Sequence, residues 1–286
     1  MPVYHKTSPV LLLLFFVSVS CNNAEQYKGP AGYDINRPKR FAMKSALKEI
    51  SGITFLKGKK DTLFAIEDEN GKLFSFTPGS EYLGRTKFAK KGDFEDVAIL
   101  NDNMVAVLRS EGSLFLFPTS EIGKEKADSV KEYINILPEG EYEGLSSENG
   151  KLFALCKNCM TDNERTEVSV YILALDSGKL LTVTGFLKID LSLIKPEDIK
   201  GKGKGKFHPS CLAKNPVTHQ WFIISSVNKL LLVLNEKWKV IEDYPLDPSL
   251  FKQPEGIAFN SKGDMYISNE GGEGEANVLL FAYQKP

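Results

Sequence analysis

Three observations in the sequence predict an all-β protein, specifically a five-bladed β-propeller. The first is a short pattern that recurs five times: an acidic or hydroxyl residue, usually a small one, an aliphatic one, then Ala, Ser or Thr. Its copies are Ser51-Gly52-Ile53-Thr54, Glu95-Asp96-Val97-Ala98, Glu143-Gly144-Leu145-Ser146, Ser210-Cys211-Leu212-Ala213 and Glu255-Gly256-Ile257-Ala258. Their first residues stand 44, 48, 67 and 45 positions apart, and a period of roughly 40–50 residues is that of propeller blades. The second observation is the composition downstream of each copy: short runs rich in Val, Ile, Leu and Phe, separated by Gly, Asn and Asp turns, the pattern of antiparallel sheet. The third is that no stretch of the expected mature domain keeps a helical period for three turns.

The copies place the strands. Residues 53–56, 62–66 and 72–76 are expected after Ser51, 97–100, 104–108 and 113–117 after Glu95, and 256–260, 264–268 and 277–283 after Glu255. The last copy leaves room for three strands only. Residues 41–47 are therefore expected to supply the missing outer strand and close the ring, since an open ring exposes two sheet edges. The 67-residue step keeps a degenerate sixth blade as the alternative.

Ahead of the blades, residues 10–19 form an apolar core of about ten, preceded by His5 and Lys6. That is too short for a membrane span of about 20 residues and fits a secretory signal. Ser18-Val19-Ser20-Cys21 leads into a cysteine through small residues and resembles a bacterial lipoprotein signal, although Ser18 stands where an aliphatic residue is usual. The organisation is then a signal peptide at 1–20, a lipid-anchored polar tether at 21–36 beginning with Cys21, and a propeller at 37–286. Ordinary signal cleavage, leaving a soluble exported protein, is the alternative. The expected location is the bacterial cell envelope, with the membrane as partner through the N-terminal lipid.

Two segments account for the long step: the polar stretch from Cys156 to Arg165, and the run from Pro196 to Lys206 with its Gly-Lys alternation. The latter lacks the order and the strand-to-helix context of a phosphate-cradling loop and reads as a solvated insertion. Basic and acidic residues nearly balance, 36 against 37, which excludes a nucleic-acid footprint. A lone CxxC argues weakly for zinc; in an exported chain a local Cys156–Cys159 disulfide is plausible. Cys211 is expected to be buried, and Trp221 and Trp238 to pack between blades.

Glu-Ile-Ser-Gly-Ile at 49–53, Gly-Asp-Phe-Glu-Asp-Val-Ala at 92–98, Tyr-Glu-Gly-Leu at 142–145, Phe-His-Pro-Ser at 207–210 and Gln-Pro-Glu-Gly-Ile-Ala at 253–258 occur in that order. Together they resemble the SdiA-regulated (YjiK-like) family of exported β-propellers. The resemblance implies five blades and a bound calcium ion. Cys211 in the Gly column and the basic insertion at 201–206 are departures from the pattern.

The residues make their own case for a cation. In a propeller the first strand of each blade lines the channel, so Glu95, Glu143 and Glu255 are expected to converge at one mouth, with Ser51 and Ser210 completing the circle. Two carboxylates about 7 Å apart repel by roughly 2 kcal/mol at an effective dielectric near 20, so three of them either raise a pKa or recruit a cation. Calcium, with its flexible shell of oxygen ligands, suits them better than zinc. The alternative is that each Glu clamps the neighbouring blade's backbone. A second ring of Asp68, Arg109, Lys157, Ser226 and Asn269 is expected at the same mouth, where Arg109 and Lys157 would compete with calcium by pairing with the glutamates. His208 joins the pocket rim as the candidate base. The reading is a calcium-binding module for a small ligand or an envelope protein; a calcium-dependent hydrolase of phosphoester or lactone type is the alternative. No Ser-His-Asp arrangement is visible.

Overall fold

The computed structural model describes residues 1–3, 26–59, 62–163, 165–194, 199 and 205–285. The signal core at 10–19, the lipidation site Cys21, and residues 201–204 of the Gly-Lys run lie outside the described residues. Among the described residues no helix is long and apolar enough to cross a membrane.

Five four-stranded antiparallel sheets are arranged in a ring. Strand β1 (Lys39–Ala42) comes first in the chain and is used last. Blade I is β2 (Ile50–Phe55), β3 (Leu63–Glu67), β4 (Asn70–Phe76) and β5 (Gly84–Lys91). Blade II is β6 (Phe94–Leu100), β7 (Met104–Arg109), β8 (Leu114–Pro118) and β9 (Lys131–Tyr133). Blade III is β10 (Gly140–Glu148), β11 (Lys151–Cys159), β12 (Glu167–Leu175) and β13 (Leu181–Asp190). Blade IV is β14 (Cys211–Lys214), β15 (Trp221–Ser225), β16 (Leu230–Leu234) and β17 (Val240–Pro245). Blade V is β18 (Pro254–Phe259), β19 (Met265–Asn269) and β20 (Asn277–Phe281), with β1 as its outer strand.

The closing strand is real, but it sits upstream of the expected 41–47. Lys39 pairs with Leu280 and Ala42 with Asn277, while Ser45–Leu47 is a 3-10 turn whose Leu47 is buried. The long step holds no sixth sheet among the described residues. It is taken up by the strands of blade III, which are nine, nine, nine and ten residues long, and by the connection to β14. The packed body also begins before residue 37. Tyr33 and Ile35 are buried against blades IV and V, and the Tyr33 hydroxyl donates to the Gly263 carbonyl at 2.5 Å while accepting from Asn215 Nδ2 at 2.6 Å.

The core is divided among the seams of the ring. Five apolar clusters form, each shared by two adjacent blades: I with II, II with III, III with IV, IV with V, and V with I. Trp221 and Trp238 stack at 4.1 Å between ring centres and meet Phe153 of blade III, the inter-blade role expected of them. Cys211 is buried, and Cys156 and Cys159 form a disulfide.

A candidate ligand and metal site at one mouth of the channel

The five first strands, β2, β6, β10, β14 and β18, touch one another in a closed cycle and line the channel. Each position of the repeat has a separate steric task there. The column residue falls at a β-bulge in blades I, II, III and V, where the pairing register shifts across Ser51, Glu95, Glu143 and Glu255. A bulged residue is unpaired and its side chain is re-aimed, here into the channel mouth. The next residue is small because the neighbouring blade's strand crosses it closely. A Cβ on Gly52 would lie 2.5 Å from Asp96 Cα, and one on Gly256 2.6 Å from the Ser51 carbonyl. Blade II departs from the rule: Asp96 is buried there and accepts from the Val97 N–H at 2.8 Å and from the Leu145 N–H of blade III at 2.7 Å. The inter-blade clamp considered for the glutamates is thus made by Asp96. The aliphatic position supplies Ile53, Val97, Leu145, Leu212 and Ile257, all buried, which line the middle of the channel together.

Above these aliphatic side chains opens a cavity of about 780 Å3. Glu95, Glu143 and Glu255 meet in it, joined by Ser51, Ser210, Ser226, Asp68, Asp93 and Glu270, with Lys157, Lys229, Lys252 and Gln253 on its wall. Glu255 hydrogen-bonds the Ser226 and Ser210 hydroxyls, and Ser210 Oγ accepts from the Ser226 N–H at 3.2 Å. Lys157 Nζ donates to Glu143 at 2.7 Å and to Glu141 at 2.9 Å. Lys157 sits inside the four-residue loop closed by the Cys156–Cys159 disulfide, so its backbone is held at the cavity wall.

Among the described residues, six carboxyl groups against three ammonium groups leave the cavity acidic, and burial then penalises every ionised form. Burial, followed by the charges of Glu143 and Asp93 and a hydrogen bond to Glu143, pushes the Glu95 carboxyl far above its ordinary value. Burial also raises Glu143, against the pull of Lys157, and Glu255, against its hydrogen bonds to Ser226 and Ser210. Burial and a carboxyl–carboxyl contact with Glu49 raise Glu270. Burial and the nearby Glu49, Glu67, Glu69 and Asp93 push Asp68 up to about 6, and its buried Oδ1 has no hydrogen-bond partner among the described residues. For Lys157, burial works to lower the pKa, but Glu143 and Glu141 outweigh it and the ammonium is held above its usual range.

Three of the expected rim residues do not line this cavity. Arg109 turns away to Glu111 at 3.0 Å and Glu132 at 3.2 Å, so it does not neutralise the glutamates. Asn269 is buried and donates to Asn277 Oδ1 at 3.2 Å. His208 is held by its backbone, its N–H donating to Asn228 Oδ1 and its carbonyl accepting from Ser225 Oγ. The first two corrections share a cause. Glu67, Arg109, Cys156 and Asn269 pair with the residue before the column, Ile50, Phe94, Tyr142 and Pro254. The residue that faces the mouth is one further on: Asp68, Lys157 and Glu270, with Ser226 matching them in blade IV. A slip of one position moves a side chain to the opposite face of a sheet. Asp93, Lys229, Lys252 and Gln253 were not assigned to the pocket from sequence; Asp93 and Gln253 carried a signal, each standing two residues before a column Glu, in the motifs of blades II and V.

The donor set is all oxygen, which suits a hard cation rather than zinc. Among the described residues, however, no three His, Cys, Asp or Glu side chains stand as a ready metal shell. The Lys157 ammonium takes the cation's place beside Glu143.

Fold and site define a five-bladed propeller with an acidic cavity at one end of its channel. The model of the SdiA-regulated family matches residues 32–137; the resemblance drawn from the motifs is to this family and holds there, over the closing strand and blades I and II. No curated protein matches the chain. Among solved structures, a luciferin-regenerating enzyme is similar at 9% identity and a TM-score of 0.53, covering 86% of this chain and 95% of its own. Regucalcin from Agrobacterium tumefaciens strain C58, a calcium-binding protein, is similar at 12% identity and a TM-score of 0.52, with the same coverage of 86% and 95%. At these identities the likeness is one of fold.

Proposed function

We propose that the chain is a calcium-binding propeller lipoprotein of the bacterial cell envelope, anchored through Cys21 and serving as a binding module for a small ligand or an envelope protein. The observation that carries the calcium reading is the meeting of Glu95, Glu143 and Glu255, from three different blades, in one cavity with Asp68, Asp93 and Glu270. Carboxyl groups raised by burial and by one another gain most from a cation that replaces both their protons and the Lys157 ammonium. Glu95, Glu143 and Glu255 would hold the ion, with Ser51 and Ser210 alongside. Supporting the anchor is the sequence alone, through the apolar core at 10–19 and the small residues before Cys21.

Titration calorimetry on chelator-stripped protein tests the metal. Ca2+ is expected to bind with proton release, and Glu143→Gln to weaken it about tenfold, the effect of roughly 1.4 kcal/mol. No heat up to millimolar Ca2+ overturns the reading and leaves a proton-sharing cluster neutralised by Lys157. Mass spectrometry of the membrane-extracted chain tests the anchor, with an acylated Cys21 expected and an unmodified, freely soluble chain counting against it. The hydrolase alternative loses His208 as its base, since that residue does not line the cavity. It would rest on a column Glu, and turnover of phosphomonoesters or lactones with Ca2+ would revive it.

A further inference from the structure

The opposite mouth of the channel carries charge of the other sign. There, at the far ends of the first strands, a second cavity of about 390 Å3 is lined by Phe55, Ile99, Ser147 and Phe259, with Lys57, Lys59 and Lys262 around its edge. Among the described residues its one acidic lining residue is Asp102, which Lys57 engages at 3.2 Å. Lys59 and Lys262 are exposed and have no carboxylate partner among the described residues. The aromatic rings are fixed in place. Phe55 packs edge-on against Tyr266 at 5.0 Å, and Phe259 against Phe222 at 5.0 Å. The hydroxyl of Ser147 is already spent on the Ile99 carbonyl at 2.5 Å, so it offers the cavity no free donor.

We infer that this mouth is a second binding site, for a small amphipathic anion: a carboxylate, sulfonate or phosphate on an aromatic or branched apolar body. The volume lies within the roughly 300–1,000 Å3 of small-molecule sites. The apolar body would cover the half-exposed rings of Phe55 and Phe259, a gain of roughly 25 cal/mol per Å2 of apolar area. The acidic head would pair with Lys59 and Lys262 at the entrance, where two unpaired like charges gain from a counter-charge. The site is independent of the calcium reading, because none of its lining residues lines the acidic cavity.

The test is fluorescence titration of the full chain with 1-anilinonaphthalene-8-sulfonate, compared with its uncharged analogue N-phenyl-1-naphthylamine. Saturable sulfonate binding is expected. Lys59→Glu with Lys262→Glu should weaken it about fivefold per lysine and leave the uncharged probe unchanged, and high salt should weaken it too. Both lysines are exposed, so the double variant is expected to melt as the parent does. Lys90→Glu with Lys91→Glu, elsewhere on the surface, should change nothing. Equal affinity in the parent and the Lys59/Lys262 variant overturns the inference, as does an equal loss in the Lys90/Lys91 variant. Lysine-dependent sedimentation with phosphatidylglycerol vesicles, without sulfonate binding, would assign the mouth to a membrane surface and overturn it as well.

Discussion

The two mouths of one channel are built on the same ring of first strands, yet they carry charge of opposite sign. At the first, bulges turn Glu95, Glu143 and Glu255 into a cavity with six carboxyl groups and three lysines. At the second, four residues further along the first strands of blades I, II, III and V, Phe55, Ile99 and Phe259 line the wall beside Ser147, and among the described residues the entrance carries three lysines and one carboxylate. Four residues of strand span about 13 Å, which sets the two groups of charges at opposite ends of the channel. A chain whose formal charge is only −1 therefore presents two fields of opposite sign. A balanced composition conceals a polarised molecule.

The largest expected effect breaks both mouths together. Deleting residues 26–42 removes β1 and the buried Tyr33 and Ile35, a loss of about 5 kcal/mol from apolar burial and edge pairing. Tm by circular dichroism should fall by roughly 15 °C, and calcium and sulfonate binding should weaken in parallel. Unchanged melting would remove ring closure as a determinant of either site.

A smaller change attacks the separation itself. Leu145→Ala opens the middle of the channel, where Leu145 is 2% exposed, and is expected to lower stability by about 3 kcal/mol. Binding at one mouth should then begin to alter affinity at the other, which calorimetry with both probes would detect. Additivity in that variant would show that Leu145 does not keep the two sites apart.

The pH response should belong to the acidic mouth alone. Glu95, Glu143, Glu255, Glu270 and Asp68 all have folded pKa values above the ordinary carboxylate range. The folded state thus holds more protons than the unfolded one across that window, and the stability of the metal-free protein falls as pH rises. The decline begins above about pH 4.5, continues through about 6 where Asp68 titrates, and extends higher for the glutamates. Calcium affinity should rise over the same interval, because the ion needs the ionised forms. Calorimetric scans in chelator and in Ca2+ would show the two curves diverging; a metal-free Tm that climbs from pH 6 upward contradicts the assignment. Sulfonate binding at the lysine mouth should stay flat.

The mildest prediction concerns Lys157. Lys157→Met removes the built-in cation from Glu143 and is expected to tighten calcium binding by about 1 kcal/mol, read by calorimetry. Weaker binding would make Lys157 part of the ligand site rather than a rival to the ion.

The repeat was legible because each of its positions answers to one steric demand: bulge, close crossing, channel lining. That gave the fold, the blade count and the three convergent glutamates. The second ring was harder to place. Arg109, Lys157 and Asn269 look equivalent in sequence, each closing an apolar run, but bulges in the partner strands change the register, and one residue decides which face a side chain takes. Lys229 and Lys252 lie in connections that do not repeat, so nothing periodic marked them. The charge contrast between the mouths was hidden for a similar reason: Lys57, Lys59 and Lys262 sit in turns of blades I and V, far apart in sequence, and meet only once the ring exists.

The pairing of Lys39 with Leu280 also governs when this domain can finish folding. Blade V stays one strand short until almost the whole polypeptide is available, so the wheel cannot lock while its tail is still being made. Contacts of such long sequence separation form slowly. A chain built this way completes its last sheet only by joining its two ends.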